Sequence, residues 1–76
     1  MNTFRDVIAA MGGPIELARQ IDGNAYTAIS WKQRNTIPAN NWARIVDAAK
    51  RAGVSGVTFE ALARMAEETK RETDAA

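Results

Sequence analysis

Tyr26, Ile29, Ser30 and Gln33 recur at i, i+3, i+4 and i+7, a spacing that brings them into one row along a helix. A row that merely faces solvent is more often built from Lys and Glu. A phenol, a hydroxyl and a carboxamide can instead hydrogen-bond base edges, and Ile29 can pack on a thymine methyl group. Asn24, just ahead of the row, and Gln33 each carry the amide that pairs bidentately with adenine. Lys32, Arg34 and Arg44 flank the row as cations able to neutralise phosphates, and Arg19 and Thr27 are further phosphate-contact candidates. Taken singly, these charges read as ordinary solvated side chains. Clustered around one helix, they point to a polyanion. Thr27 and Ser30 also have a structural reading, as hydroxyls bonded back to the preceding turn. Arg19 has one too, since Glu16 lies three residues earlier in the same helix.

Charge along the chain agrees with that placement. The net charge is only +1, but it is unevenly distributed. Residues 19–51 carry six cations (Arg19, Lys32, Arg34, Arg44, Lys50 and Arg51) against Asp22 and Asp47, a net +4. Residues 1–18 are net −1 and residues 52–76 net −2. A basic middle between acidic flanks suggests an anionic partner. Lys50 and Arg51 have a second explanation, since cations are favourable in the last turn of a helix.

The elements that must hold these residues follow from apolar spacing. Phe4, Val7, Ile8 and Met11 form one helical stripe, opened by Thr3 as cap with Asp6 three residues on, and ended by Gly12-Gly13. Pro14 suits the first turn of a second helix, where Pro14, Leu17, Ala18 and Ile21 repeat the spacing. Asp22-Gly23-Asn24 is a turn, with Gly23 expected to supply its tightness. A third helix covers 25–34, with Ala28 and Trp31 on the side opposite Tyr26, Ser30 and Gln33. Thr36-Ile37-Pro38 ends it. Trp42, Ile45, Val46 and Ala49 mark a fourth helix closed by Gly53, with Asn40 or Asn41 as its expected cap. Thr58 opens a fifth, with Phe59, Leu62, Ala63 and Ala66 inward, and the chain beyond Thr69 is expected to fray. No segment alternates with period two. The expectation is an all-α domain at 1–69 with a tail at 70–76, its large aromatics Trp31 and Trp42 in the core.

Two short helices joined by a tight turn, the second basic and half exposed, describe a helix-turn-helix at 14–34. The run Gly12-Gly13-Pro14-Ile15-Glu16-Leu17-Ala18-Arg19, then Trp31-Lys32-Gln33-Arg34, then Ile37-Pro38-Ala39, resembles the small Cro-like helix-turn-helix regulators of phages and bacteria. The likeness is greatest to the carph-isopro type, with its G-G-x-x-x-L-A start and W-K-x-R-x-x-I-P end, and it covers about residues 10–50. It implies a compact five-helix Cro/repressor-like domain that binds double-stranded DNA, commonly as a homodimer at inverted repeats. Two positions depart from the pattern. Asp22 stands where the family usually has Gly, with Gly23 following, and Ala28 stands where it has Val or Ile. Ile29 then has two open readings, base contact or core.

With 46% apolar and 25% charged residues, the composition is that of a globular chain. It has no Cys and no His, which removes disulfides, the usual zinc sites, and Cys- or His-based catalysis. An enzyme is therefore not expected, nor any cofactor or metal. The apolar stretch from Val7 to Ile15 is interrupted by Gly12, Gly13 and Pro14, so no membrane span or signal peptide is expected and the location is expected to be cytoplasmic. Phe59, Leu62 and Met65 are the candidate dimer contacts, although the same residues could simply close the core. Repression by occluding a promoter is the simplest mechanism for so small a chain. The alternatives are activation by a protein of the same fold, or a protein-interaction module in which Tyr26 and Ile29 anchor a partner.

Overall fold

The computed structural model describes the backbone of residues 2–75 and the side chains through Arg71. It contains five α-helices: α1 Phe4–Ala10, α2 Pro14–Gln20, α3 Ala25–Arg34, α4 Trp42–Ala52 and α5 Phe59–Ala75. A 3-10 turn at Ala39–Asn41 leads into α4, and no strand occurs among the described residues. No helix among them is long and apolar enough to cross a membrane. The radius of gyration is 11.6 Å, close to the ~11 Å expected of a compact chain of this length.

Each helix begins and ends where local chemistry dictates. Thr3 and Asp6 form a reciprocal capping box at α1: Thr3 Oγ1 accepts from the Asp6 N–H at 3.1 Å, and Asp6 Oδ2 accepts from the Thr3 N–H at 3.1 Å. A further N–H, from Asn2, reaches the same oxygen at 3.0 Å. The Asn2 and Thr3 N–H groups hold the Asp6 carboxyl below its ordinary range. Pro14 occupies the first position of α2. Gly53 closes α4 in the left-handed region, at φ +74°.

One core joins all five helices. Phe4, Val7 and Ile8 of α1, Leu17 and Ala18 of α2, Ala28 and Trp31 of α3, Ile45, Val46, Ala48 and Ala49 of α4, and Ala61, Leu62 and Met65 of α5 are buried together. Ile37 and Val57 enter it from the connections, and no polar or charged residue is buried among the described residues. Trp42 packs against this cluster half-buried, with its ring 6.4 Å from that of Phe4. Its indole N–H donates to the Ile37 carbonyl at 2.8 Å, satisfying the polar handle that a packed Trp must place somewhere.

Three expectations need correction. Phe59 and Ala63 do not face inward: Phe59 is 53% exposed and Ala63 is exposed, while Ala61, Leu62 and Met65 form the buried stripe. The cause is the entry to the helix. Thr58 Oγ1 accepts from the Ala61 N–H at 3.1 Å as the cap. Val57 before it and Leu62 after it are both buried, in the positions of a hydrophobic staple that fixes the entry angle and turns Phe59 outward. The α5 backbone is helical from Phe59 to Ala75, through a segment rich in good helix formers. Second, Asn41 stands at the N-cap position of α4, but its side chain makes no capping bond; Asn41 Nδ2 donates to Asn40 Oδ1 at 3.2 Å, and the 3-10 turn carries the chain into the helix. Third, the positive φ in the α2–α3 turn belongs to Asp22, at +54°, and not to Gly23.

Candidate functional site

The α2–α3 turn is closed by the backbone. The Gly23 N–H donates to the Ala18 carbonyl at 2.8 Å and the Asp22 N–H to the Arg19 carbonyl at 3.4 Å. Asp22 in the left-handed conformation makes that possible, a role that Asp fills at less cost than most residues with a Cβ. Ala18 is buried, and α2 packs on α3 more extensively than any other pair of helices meets.

α3 emerges from this turn with its start capped by Asn24, whose Oδ1 accepts from the Tyr26 N–H at 2.8 Å. That bond gives Asn24 a structural role beside the base contact expected of it. Bidentate pairing with adenine needs both the amide oxygen and the amide nitrogen, and here one lone pair of the oxygen already serves the backbone. Ala28 is fully buried and Trp31 is 8% exposed, so the two form the inner side of the helix. Tyr26 is 83% exposed. Thr27, Lys32, Gln33 and Arg34 are exposed, and Ser30 is half-buried. Ile29 is also half-buried, at the edge between the two sides.

The far end of α3 is held from α1. Asn35 terminates the helix in the left-handed region, at φ +53°, and the Thr36 N–H returns to the Trp31 carbonyl at 3.0 Å. Arg5 donates from Nε to the Lys32 carbonyl at 2.8 Å and from Nη2 to the Gln33 carbonyl at 2.9 Å. The Arg5 backbone N–H donates to Asn35 Oδ1 at 3.1 Å. Sequence reasoning missed Arg5 altogether. Asn35, directly after a helical run, carried a legible C-cap signal, but a partner 30 residues away leaves no local trace.

The expected site residues separate into groups. Tyr26, Thr27, Ser30 and Arg34 line one shallow groove together with Trp31 and two residues of the following connection, Thr36 and Pro38. Gln33 and Lys32 lie on the same helix outside that groove. Arg44 is elsewhere, in a recess between α4 and the end of α2 that it shares with Gln20, Ile21, Asp22, Asp47 and Arg51. Arg19 is engaged with Glu16: its Nε donates to Oε2 at 3.0 Å and its Nη2 to Oε1. That pairing holds the Glu16 carboxyl below its ordinary range, helped by Gln20, and raises the Arg19 guanidinium. A phosphate contact from Arg19 would have to break it. Arg51 is likewise paired, with Asp47 at 3.3 Å. Lys32, Arg34 and Arg44, by contrast, have no carboxylate within ion-pair distance among the described residues. Of the three expected dimer contacts, Leu62 and Met65 are 0% and 1% exposed and belong to the core, which leaves Phe59 alone at the surface.

Comparison with protein-family models, curated proteins and solved structures found no match to this chain.

Proposed function

We propose that this chain is a sequence-specific, double-stranded DNA-binding regulator of the Cro-like helix-turn-helix kind, with α2 and α3 as its two helices and α3 as the reader. The observation that carries the proposal is the composition of the α3 outer face. It is a row of uncharged hydrogen-bonding side chains, Tyr26, Ser30 and Gln33, bordered by two cations, Lys32 and Arg34, that no carboxylate neutralises among the described residues. Such a face suits base edges at its centre and phosphates at its margins. The ten residues of α3 span about 15 Å, and a helix with its side chains is about as wide as the major groove of B-DNA. Ala28 and Trp31 hold the inner side, so the outer row can enter a groove without unpacking the core.

A single copy offers few phosphate contacts and should bind weakly, with a steep dependence on salt. A homodimer on an inverted repeat, with half-sites about one helical turn apart, would double them. Repression of phage or phage-derived genes by blocking a promoter is the simplest consequence of such binding. Of the sequence candidates for the dimer surface, Phe59 is the one accessible to a partner.

Selection of bound fragments from sheared bacterial and prophage DNA, with affinities measured at two salt concentrations, tests this reading. The expected result is an enriched inverted repeat that survives moderate salt. Lys32→Ala and Arg34→Ala should then weaken binding to all sequences, each reducing the salt slope by about 1, whereas Gln33→Ala should change preference at particular bases. Binding erased by salt with no enriched motif would reject the proposal and direct attention to Tyr26 as an anchor for a protein partner.

A further inference from the structure

The start of α1 and the end of α3 have complementary needs. A helix leaves its first N–H groups and its last carbonyls without partners of its own. At this junction the Arg5 N–H, in the first turn of α1, donates to Asn35 Oδ1, and the Arg5 guanidinium donates to the carbonyls of Lys32 and Gln33 in the last turn of α3. The guanidinium also places a cation against the negative end of the α3 dipole. A planar fork can serve two carbonyls at once in a fixed geometry, which the point charge of a lysine does not reproduce. Both acceptors belong to residues of the proposed reading helix, and both lie beyond Ala28 and Trp31, the residues of α3 that are buried.

We infer that Arg5 and Asn35 are positioning residues for the DNA-reading face: they hold the last turn of α3 so that Gln33 is presented to its base in one geometry. The inference rests on the DNA reading proposed above. Arg5 itself touches no base in this scheme, and its effect passes through the backbone of Lys32 and Gln33.

The test uses the full chain and variants R5A, R5K, N35G, Q33A and R5A/Q33A. The probes are the DNA selected by the unmutated chain and the same DNA altered at the base whose identity Q33A ceases to read. R5A is expected to lower discrimination between the two by about tenfold, within the range of one lost bidentate contact, while binding to unselected DNA changes little. R5K keeps the charge but not the fork, and should discriminate as poorly as R5A. In the Q33A background, R5A should remove no further discrimination. N35G retains a left-handed cap and loses only the acceptor, so it folds and should lose discrimination in the same direction. If R5A instead weakens all sequences equally and R5K restores binding, Arg5 is a phosphate contact and the inference is overturned. Undiminished discrimination in N35G and R5A overturns it as well. If the unmutated chain discriminates no sequence at all, it is the DNA reading that fails, an outcome distinct from both.

Discussion

α3 and α4 are nearly equal in length, 10 and 11 residues, and they use their side chains in different ways. α4 buries Ile45, Val46, Ala48 and Ala49 along one side and turns Arg44, Asp47, Lys50 and Arg51 to solvent, with Arg51 and Asp47 paired. Its two sides are sharply different in polarity, as expected of a helix that covers a core and faces water. α3 buries only Ala28 and Trp31, and its outer row is neither charged nor strongly apolar. Besides its packing on α2, it is held at its ends, by Asn24 at the start and by Arg5 and Asn35 at the finish. A helix held from its inner side and at its ends leaves its outer face without a structural role.

The sharpest way to break this contrast is to remove the anchor. Trp31→Ala is expected to cost about 3–5 kcal/mol, a large part of the roughly 4–11 kcal/mol available to a chain of this length. Ile45→Ala should cost about 2–5 kcal/mol, because the neighbouring buried residues of α4 share its load. Urea denaturation of both variants checks the order. The outer face should behave in the opposite way. Tyr26→Ala and Gln33→Ala should leave stability within about 0.5 kcal/mol, yet change affinity for a selected DNA by about tenfold. Thermal melts paired with binding titrations separate the two effects.

Capping comes next in size. Thr3→Ala and Thr58→Ala should each destabilise by about 1 kcal/mol, and amide exchange should place the loss at the starts of α1 and α5, with α3 little altered. The α2–α3 turn gives a smaller effect of opposite sign. Asp22→Gly should stabilise by about 0.5 kcal/mol, because a Cβ is no longer held in the left-handed region. Gly23→Ala should be tolerated, since its added Cβ would meet Ile21 Cγ1 at 3.4 Å, an ordinary contact, without a positive φ. The smallest effect is that of pH. The folded state lowers the Asp6 and Glu16 carboxyls below their unfolded values. Their contribution is therefore complete above the ordinary carboxylate range and is lost as pH falls through the lowered folded values. Asp6 is exposed and Glu16 half-buried, so melts from pH 7 to pH 3 should record a modest decline. α3, which has no acidic or histidine residue, should add none of it.

Much of the architecture was legible because it is local. The stripe Phe4, Val7, Ile8, Met11, the proline at 14, the run 25–34 and the glycine at 53 each act within a few residues, and the five helices lie where those signals put them. The same holds for the inner side of α3, since Ala28 and Trp31 follow from helical spacing alone. The rotation of α5 was not legible in this way. Phe59 and Leu62 both fit an inward stripe on paper, and the buried Val57 decided between them by setting how the helix enters the core.

The sequence by itself determined the helical elements, the concentration of positive charge at 19–51 and the chemistry of the row on α3, because these depend only on residue type and spacing. The local pairings of Arg19 with Glu16 and of Asn24 with the Tyr26 N–H lie within reach of the sequence too. Tertiary structure alone decided that Leu62 and Met65 enter the core and that Arg44 is set apart from α3. It also brought Arg5 to the end of α3 across about thirty residues of chain. A hydrogen bond between distant residues exists only once packing has placed donor and acceptor together, and no local pattern records it beforehand.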